Sequence, residues 1–490
     1  MFFYESTRNS NVKVTSKEAI INGLSQEGGL YVYLDLDTIR VNLEKICQQS
    51  YIENAIDLLQ LVLPDFSKEE ISYCVHAAYD DHFDTPEITP LRKVGDVYVL
   101  ELFHGPTSAF KDMALTLLPH LMQVALRQQH KKALILTATS GDTGKAALSG
   151  FQDVEDIGIM VFYPHQKVSD IQYRQMATQE GKNTFVYAIQ GNFDDAQSQV
   201  KQLFLNEELQ TFAKEQNIIL TSANSINIGR LVPQILYYFE SYKQLIQTNK
   251  IQLGDKIAFS VPTGNFGDVL AGYYAYLMGL PVSKFIVASN ANHVLTDFLT
   301  TGVYDRNRDF IKTISPSMDI LVSSNLERLL YYMSDHDTAF VSQCMSDLKV
   351  KGRYEIGEAL LKKIQSLFVC GYLDDVKTKE VIANVYKNDY ELVDPHTAIG
   401  IGVAQTMNLK PVVCLSTASI YKFAGDVCQS IGVDSQDGWQ AMRYLESISN
   451  QKIPTNLANL QNQPILHTEI ISKEEMKSKV QQVMEEMNDD

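Results

Sequence analysis

Lys111 is the first residue in this sequence whose setting suggests covalent chemistry. It lies in Phe103-His104-Gly105-Pro106-Thr107-Ser108-Ala109-Phe110-Lys111-Asp112, where Gly105-Pro106 interrupts regular structure and Met113 to Leu118 has a helix-like pattern. Lys111 therefore falls near a loop-to-helix junction among apolar neighbours. Partial desolvation there disfavours the ammonium form and lets the amine attack a carbonyl. Taken alone, the stretch also fits a surface lysine whose stem lies on apolar surface while its head reaches water.

Three further segments gather anion donors. Thr139-Ser140-Gly141-Asp142-Thr143-Gly144-Lys145 follows the apolar run Ala133 to Ala138 and offers hydroxyls, glycines and a helix start in one place. It is not a nucleotide P-loop, because only two residues separate Gly141 from Gly144 and Ala146 stands where Ser or Thr must hold magnesium. Pro262-Thr263-Gly264-Asn265-Phe266-Gly267-Asp268 follows Ile257 to Val261 and opens a helix, with Asp268 expected to cap it; its glycines let backbone approach a phosphate at the helix N-terminus. Asn224-Ser225-Ile226-Asn227-Ile228-Gly229-Arg230 puts donors along another helix start, and an arginine there can grip a phosphate through two parallel bonds. Each also reads as a well-capped helix, with Arg230 on the surface. Leu415-Ser416-Thr417-Ala418 ends one more apolar run with two hydroxyls and says little alone.

Strand-like runs position these segments: Val97 to Leu102, Ala133 to Ala138, Ile157 to Phe162, Thr184 to Ile189, Ile218 to Leu220, Ile257 to Val261, Phe285 to Ala288 and Val412 to Leu415. Helical periodicity separates most of them, as in Phe193 to Leu205 and Ile228 to Tyr242, which implies βαβ units, parallel sheet and ligands beyond the carboxyl ends of strands. Residues 1–92 read as a mostly helical domain, with a capping box at Thr15-Ser16-Lys17-Glu18 and an extended Leu30 to Tyr33 after Gly28-Gly29. A catalytic core is expected over 93–430, with a smaller lobe at about 130–240 and a larger lobe carrying a helix-rich insertion at about 305–391. Residues 431–490 read as a C-terminal helical extension ending in a solvated acidic helix.

The 490 residues exceed one core, and 45% hydrophobic with 21% charged residues is ordinary for a folded protein. A net charge of −17 argues against nucleic acid or anionic membrane as partners, since both need a basic footprint. Six scattered cysteines without a C-x-x-C pair favour free thiols over disulfides or a metal site. The start lacks a basic segment followed by an apolar run, so a cytoplasmic location is expected.

Taken together, the four segments at 103–112, 137–144, 224–230 and 262–268 resemble, in order, those of threonine synthase, a pyridoxal 5′-phosphate enzyme group of fold type II; Ser6-Thr7-Arg8 and Gly28 to Val32 are similar too. The resemblance implies two open parallel-sheet α/β lobes with the cofactor between them. It implies Lys111 as the Schiff-base lysine, Gly264, Asn265, Phe266, Gly267 and Asp268 around the cofactor phosphate, and Thr417 at the pyridine nitrogen. It implies Thr139, Ser140, Asp142 and Thr143 for the substrate α-carboxylate, and Asn224, Ser225 and Arg230 for the substrate phosphate. The reaction implied is conversion of O-phospho-L-homoserine and water to L-threonine and phosphate, by a monomer or homodimer without a metal. The family often continues with His-Pro-Ala-Lys-Phe after Thr-Ala, whereas Ser419-Ile420-Tyr421-Lys422-Phe423 follows here. A serine or threonine dehydratase is the rival enzyme, and a ligand-binding protein without turnover the rival of another class.

Overall fold

The computed structural model describes residues 3–489 except 140, 166–167, 192 and 436. All eight strands expected from the sequence form, with ends shifted by a few residues. They divide between two open sheets. The larger runs Phe368–Tyr372, Val282–Ser289, Ile257–Pro262, Val412–Ser416, Val97–Glu101 and Leu91–Val94, parallel except for the last, which is antiparallel to its neighbour. The smaller runs Ile470–Ile471, Thr184–Ile189, Ile157–Pro164, Lys132–Ala138 and Ile218–Thr221, parallel throughout. Strands buried on both faces need continuous apolar runs, and Ile157–Pro164 is buried at every position.

The N-terminal region holds the expected capping box, in which the Thr15 side chain accepts from Glu18 N and the Glu18 carboxylate accepts from Thr15 N. Beside its helices lies a three-stranded antiparallel sheet, Asn9–Val14, Tyr4–Ser6 and Tyr31–Tyr33, of which the sequence showed only the last strand. Helix Leu326–Met333, from the stretch without readable motif, ties this sheet to the core. Arg328 is fully buried, and its guanidinium donates to Tyr31 O (2.9 Å), Ile226 O (2.7 Å) and Asn325 Oδ1. Glu327 receives Arg8 through two bonds of 2.8 and 2.7 Å, the paired geometry suited to arginine and carboxylate.

Two expectations change. The final helix, Met476–Asp489, is not solvated all round: Met476, Val480, Val483 and Met484 are buried in the cluster that includes Leu134 and Met160. An i, i+4, i+7, i+8 apolar stripe was hidden by the acidic composition around it. Strand Phe368–Tyr372 lies within the stretch expected to be a helix-rich insertion, yet it forms an edge of the larger sheet.

Lys111 occupies the cap position of the short helix Asp112–Leu115. That helix approaches Asp142–Phe151 at Gly150, where a Cβ would lie 1.9 Å from Leu115 O, so only glycine permits this spacing between the two helices.

Candidate active site

The three donor-rich segments, the 416–419 turn and the lysine loop all leave the carboxyl ends of parallel strands, which brings them together. The lysine loop is stitched to the 416–419 turn: Phe110 N donates to Thr417 O (2.8 Å), Ser419 N to Ser108 O (3.1 Å), and Ala109 pairs with Ala418. Lys111 is 9% exposed, with Nζ 4.8 Å from the centre of the Phe110 ring. Burial pulls its amine down to about 8; Asp142 and Asp268 oppose this, while Lys422 and Arg230 add to it. Thr417 is buried beside this loop.

In the 139–143 turn, Thr139 Oγ1 accepts from Gly141 N and Gly144 N, both at 3.0 Å, so this hydroxyl shapes the turn. Asp142 is buried, with Oδ1 2.9 Å from Lys422 Nζ, and Oδ2 accepts from Ser317 Oγ at 3.4 Å. Burial alone would raise its carboxyl, but Lys422, then Lys111 and His396, hold it well below the usual carboxylate range. Thr143 is half-buried, and Ser140 lies outside the described residues.

Phe266, buried and left-handed at φ 63°, starts helix Gly267–Leu277. It takes the cap position expected for Asp268, which sits in the first turn instead. Burial pushes the Asp268 carboxyl up to about 7, against the bond from Val269 N and the charge of Lys111. A Cβ on Gly264 would lie 3.0 Å from Ser317 O and 3.2 Å from Met318 Cα, so this turn packs directly on the 317–318 backbone. Gly264 O accepts from Ser323 Oγ (2.7 Å), and Asn265 O from Asn325 N and Nδ2, each at 3.0 Å. Asn265 itself is exposed.

Arg230 is 3% exposed; Nη1 donates to Ala223 O (2.7 Å), whereas Nε is buried without an acceptor. Burial lowers its guanidinium to about 10 against the pull of Asp112, so it stays cationic at neutral pH. Asn224 N donates to Ser222 Oγ, and Ser225 meets the 263–268 turn through Ser324: Ser225 Oγ lies 3.5 Å from Ser324 Oγ, which donates to Asn265 Oδ1 at 3.2 Å. Asn227 is committed elsewhere, accepting from Gly229 N and donating to Ile20 O (2.8 Å).

Sequence reasoning missed Ser317, Ser323 and Asn325, which brace the 263–268 turn, and Lys422. It also missed the buried pair His396 and Asp394, whose Nδ1 and Oδ1 are 2.8 Å apart; Ser317 N donates to His396 Nε2 at 3.3 Å. Asp394-Pro395 does carry a signal, that of a capped helix with proline at its start. His104 is a further case, with Nδ1 2.6 Å from Asp84 and Nε2 2.8 Å from Glu101. Burial opposes its charge, but the two carboxylates outweigh this and push it up to about 9. A raised histidine stabilises the fold fully below its unfolded value near 6.5 and loses that contribution as pH rises through about 9. Relative to His104→Gln, urea unfolding of the original protein is expected to lose roughly 2 kcal/mol between about pH 6.5 and 9.5, after screening at exposed Asp84; the difference between the two proteins isolates His104 from lysines that titrate in the same range.

Comparison with known proteins identifies the group to which this arrangement belongs. A family profile described as "Threonine synthase N terminus" matches residues 3–79, and one described as "Pyridoxal-phosphate dependent enzyme" matches 83–343. Human threonine synthase-like 1 is 37% identical over 86% of the chain, and the chain spans 59% of that relative's length. Threonine synthase of Pseudomonas aeruginosa is 39% identical over 86% of the chain and 88% of its own length. The crystal structure of PLP-bound threonine synthase from Brucella melitensis superposes with a TM-score of 0.88 at 34% identity, covering both chains completely. With both profiles matching in sequence order and the fold shared end to end, the chain belongs to the threonine synthase family of pyridoxal-phosphate dependent enzymes.

Proposed function

We propose that this protein converts O-phospho-L-homoserine and water to L-threonine and phosphate, with pyridoxal 5′-phosphate held on Lys111. The observation that carries the reading is Arg230, a buried cation whose Nε has no acceptor, beside a buried lysine of lowered basicity. Such a donor suits a phosphoryl group, and a reaction without a phosphorylated substrate has no use for it.

The residues fit the cofactor. The Gly264 to Asp268 turn combines backbone approach with a helix N-terminus, the arrangement that holds a phosphate. Asn265, Phe266 and Gly267 contribute to that cradle, and the Thr417 hydroxyl serves the pyridine nitrogen. When bound, the cofactor supplies an electron-withdrawing ring that stabilises negative charge at the substrate carbons. Lys111 Nζ, as a neutral amine, takes the proton from Cα and then serves Cβ. The turn shaped by Thr139, with Ser140 and Thr143, orients the α-carboxylate, while Asp142 anchors the turn. Asn224, Ser225 and Arg230 hold the phosphate and stabilise its growing charge as it leaves Cγ, where binding energy raises the rate.

The core at 93–430, between the N-terminal domain at 1–92 and the extension at 431–490, is proposed as the catalytic unit. A cytoplasmic monomer or homodimer is proposed; the net charge of −17 speaks against nucleic-acid or anionic-membrane partners, and the scattered free cysteines suit a reducing compartment. Incubation of the purified, cofactor-loaded protein with O-phospho-L-homoserine is expected to release phosphate and form threonine in equal amounts. Absence of both products would refute the reading.

A further inference from the structure

Lys422 and Asp142 form an ion pair across the boundary between the two sheets, with side chains 1% and 4% exposed. Asp142 opens the helix behind smaller-sheet strand Lys132–Ala138, and Lys422 lies in the turn Ile420–Phe423 behind larger-sheet strand Val412–Ser416. The same Nζ donates to Thr107 O (3.0 Å), in the loop that ends at Lys111. One ammonium thus joins the lysine loop, the 139–143 turn and the 416–423 turn. Burying two charges costs several kcal/mol per ion, so such a pair is poor evidence for added stability. Its position suggests another use. A carboxylate inside an anion-binding turn repels a substrate carboxylate unless a cation cancels it, and an unpaired Asp142 would also hold the Lys111 proton in place.

We propose that Lys422 is a positioning residue for the reaction: it fixes Asp142, and with it the carboxylate turn, across the lobe boundary, and its charge cancels that of Asp142 at Lys111. The inference deepens the reading above and rests on it for the identity of the substrate. Among the described residues, the charges that act most on Lys111 are those of Asp142, Lys422, Arg230 and Asp268, and His396 acts on Asp142.

Cofactor-free full-length protein mixed with pyridoxal phosphate at pH 6 to 10 reports the state of Lys111 directly, because covalent uptake quickens as the amine loses its proton. Lys422→Met is expected to move the midpoint of that rise up by about one pH unit, and Asp142→Asn to move it down by a similar amount. The double variant is expected to return to within about half a unit of the original. In turnover, each single variant is expected to raise KM for O-phospho-L-homoserine at least about tenfold, with kcat less affected. A role in folding alone predicts no opposed movement and no restoration. Midpoints that stay fixed, or that move together, overturn the proposal; if Lys422→Met fails to fold, an unmoved midpoint in Asp142→Asn does so. Opposed midpoints in a protein that releases no phosphate from the substrate would refute the substrate reading and uphold the ion-pair assignment.

Discussion

Replacing Lys111 with alanine is expected to lower kcat/KM for O-phospho-L-homoserine by at least about 10⁴-fold, because the variant loses both the covalent attachment point and the base at Cα. Among the described residues three lysines border the site, and their surroundings separate their roles. Lys422 Nζ is committed to a carboxylate at 2.9 Å and to Thr107 O at 3.0 Å. Burial lowers Lys145 to about 8 as well, but its Nζ donates to Gln179 Oε1 at 2.6 Å, away from the lysine loop. Lys111 alone combines lowered basicity with a place between the 139–143 and 263–268 turns, facing Asp142 on one and Asp268 on the other. At about 8, roughly one Lys111 amine in ten is uncharged at pH 7, against about one in three thousand at the ordinary 10.5. The neutral fraction grows with rising pH, so activity limited by this amine rises between pH 6 and about 8. Borohydride treatment of the loaded protein, followed by peptide mapping, is expected to label Lys111 and nothing else. A label on Lys145 or Lys422, or activity within tenfold of the original in Lys111→Ala, would refute the assignment.

The strands of the core were readable because their signal is local: Ile157–Pro164 is buried throughout and reads as an unbroken apolar run, and Ile257–Pro262, also buried throughout, is interrupted only by Ser260. The edges were not readable. Phe368–Tyr372 is half-exposed at most positions, and Ile470–Ile471 is two residues long, so neither carries a run that outweighs its surroundings. At the site, the glycine-rich and hydroxyl-rich turns stood out because a close approach to a ligand restricts residue type strongly. Lys422 and Ser317 did not, since a lysine or a serine becomes informative only when the fold brings a distant partner to it. The segment after Ala418 was read as a departure from the family pattern. Its last two residues keep that pattern, and they face Asp142 and the His396 ring, whose centre is 4.9 Å from that of Phe423.

Arg230→Ala is expected to lower kcat/KM for O-phospho-L-homoserine by about 10³-fold while leaving covalent cofactor uptake by Lys111 within about threefold at its optimal pH. The magnitude follows from removing one partner of a buried, charge-assisted contact, worth about 4 kcal/mol, which corresponds to roughly three powers of ten. Removing the guanidinium also removes one of the charges that lower Lys111, so the rising limb of the pH profile is expected to move to higher pH. The sign is fixed by the geometry: losing a neighbouring cation makes the ammonium easier to keep. Arg230→Lys retains the charge but cannot present two parallel donors, and an intermediate loss of about 10- to 100-fold is expected. The dehydratase alternative predicts otherwise. Serine and threonine carry no phosphate, so a site built for them has no call on this guanidinium, and turnover of either should be nearly as good in the variant as in the original protein. Equal losses for phosphorylated and unphosphorylated substrates would sink the phosphate assignment, whereas a loss confined to the phosphorylated one ties Arg230 to the leaving group.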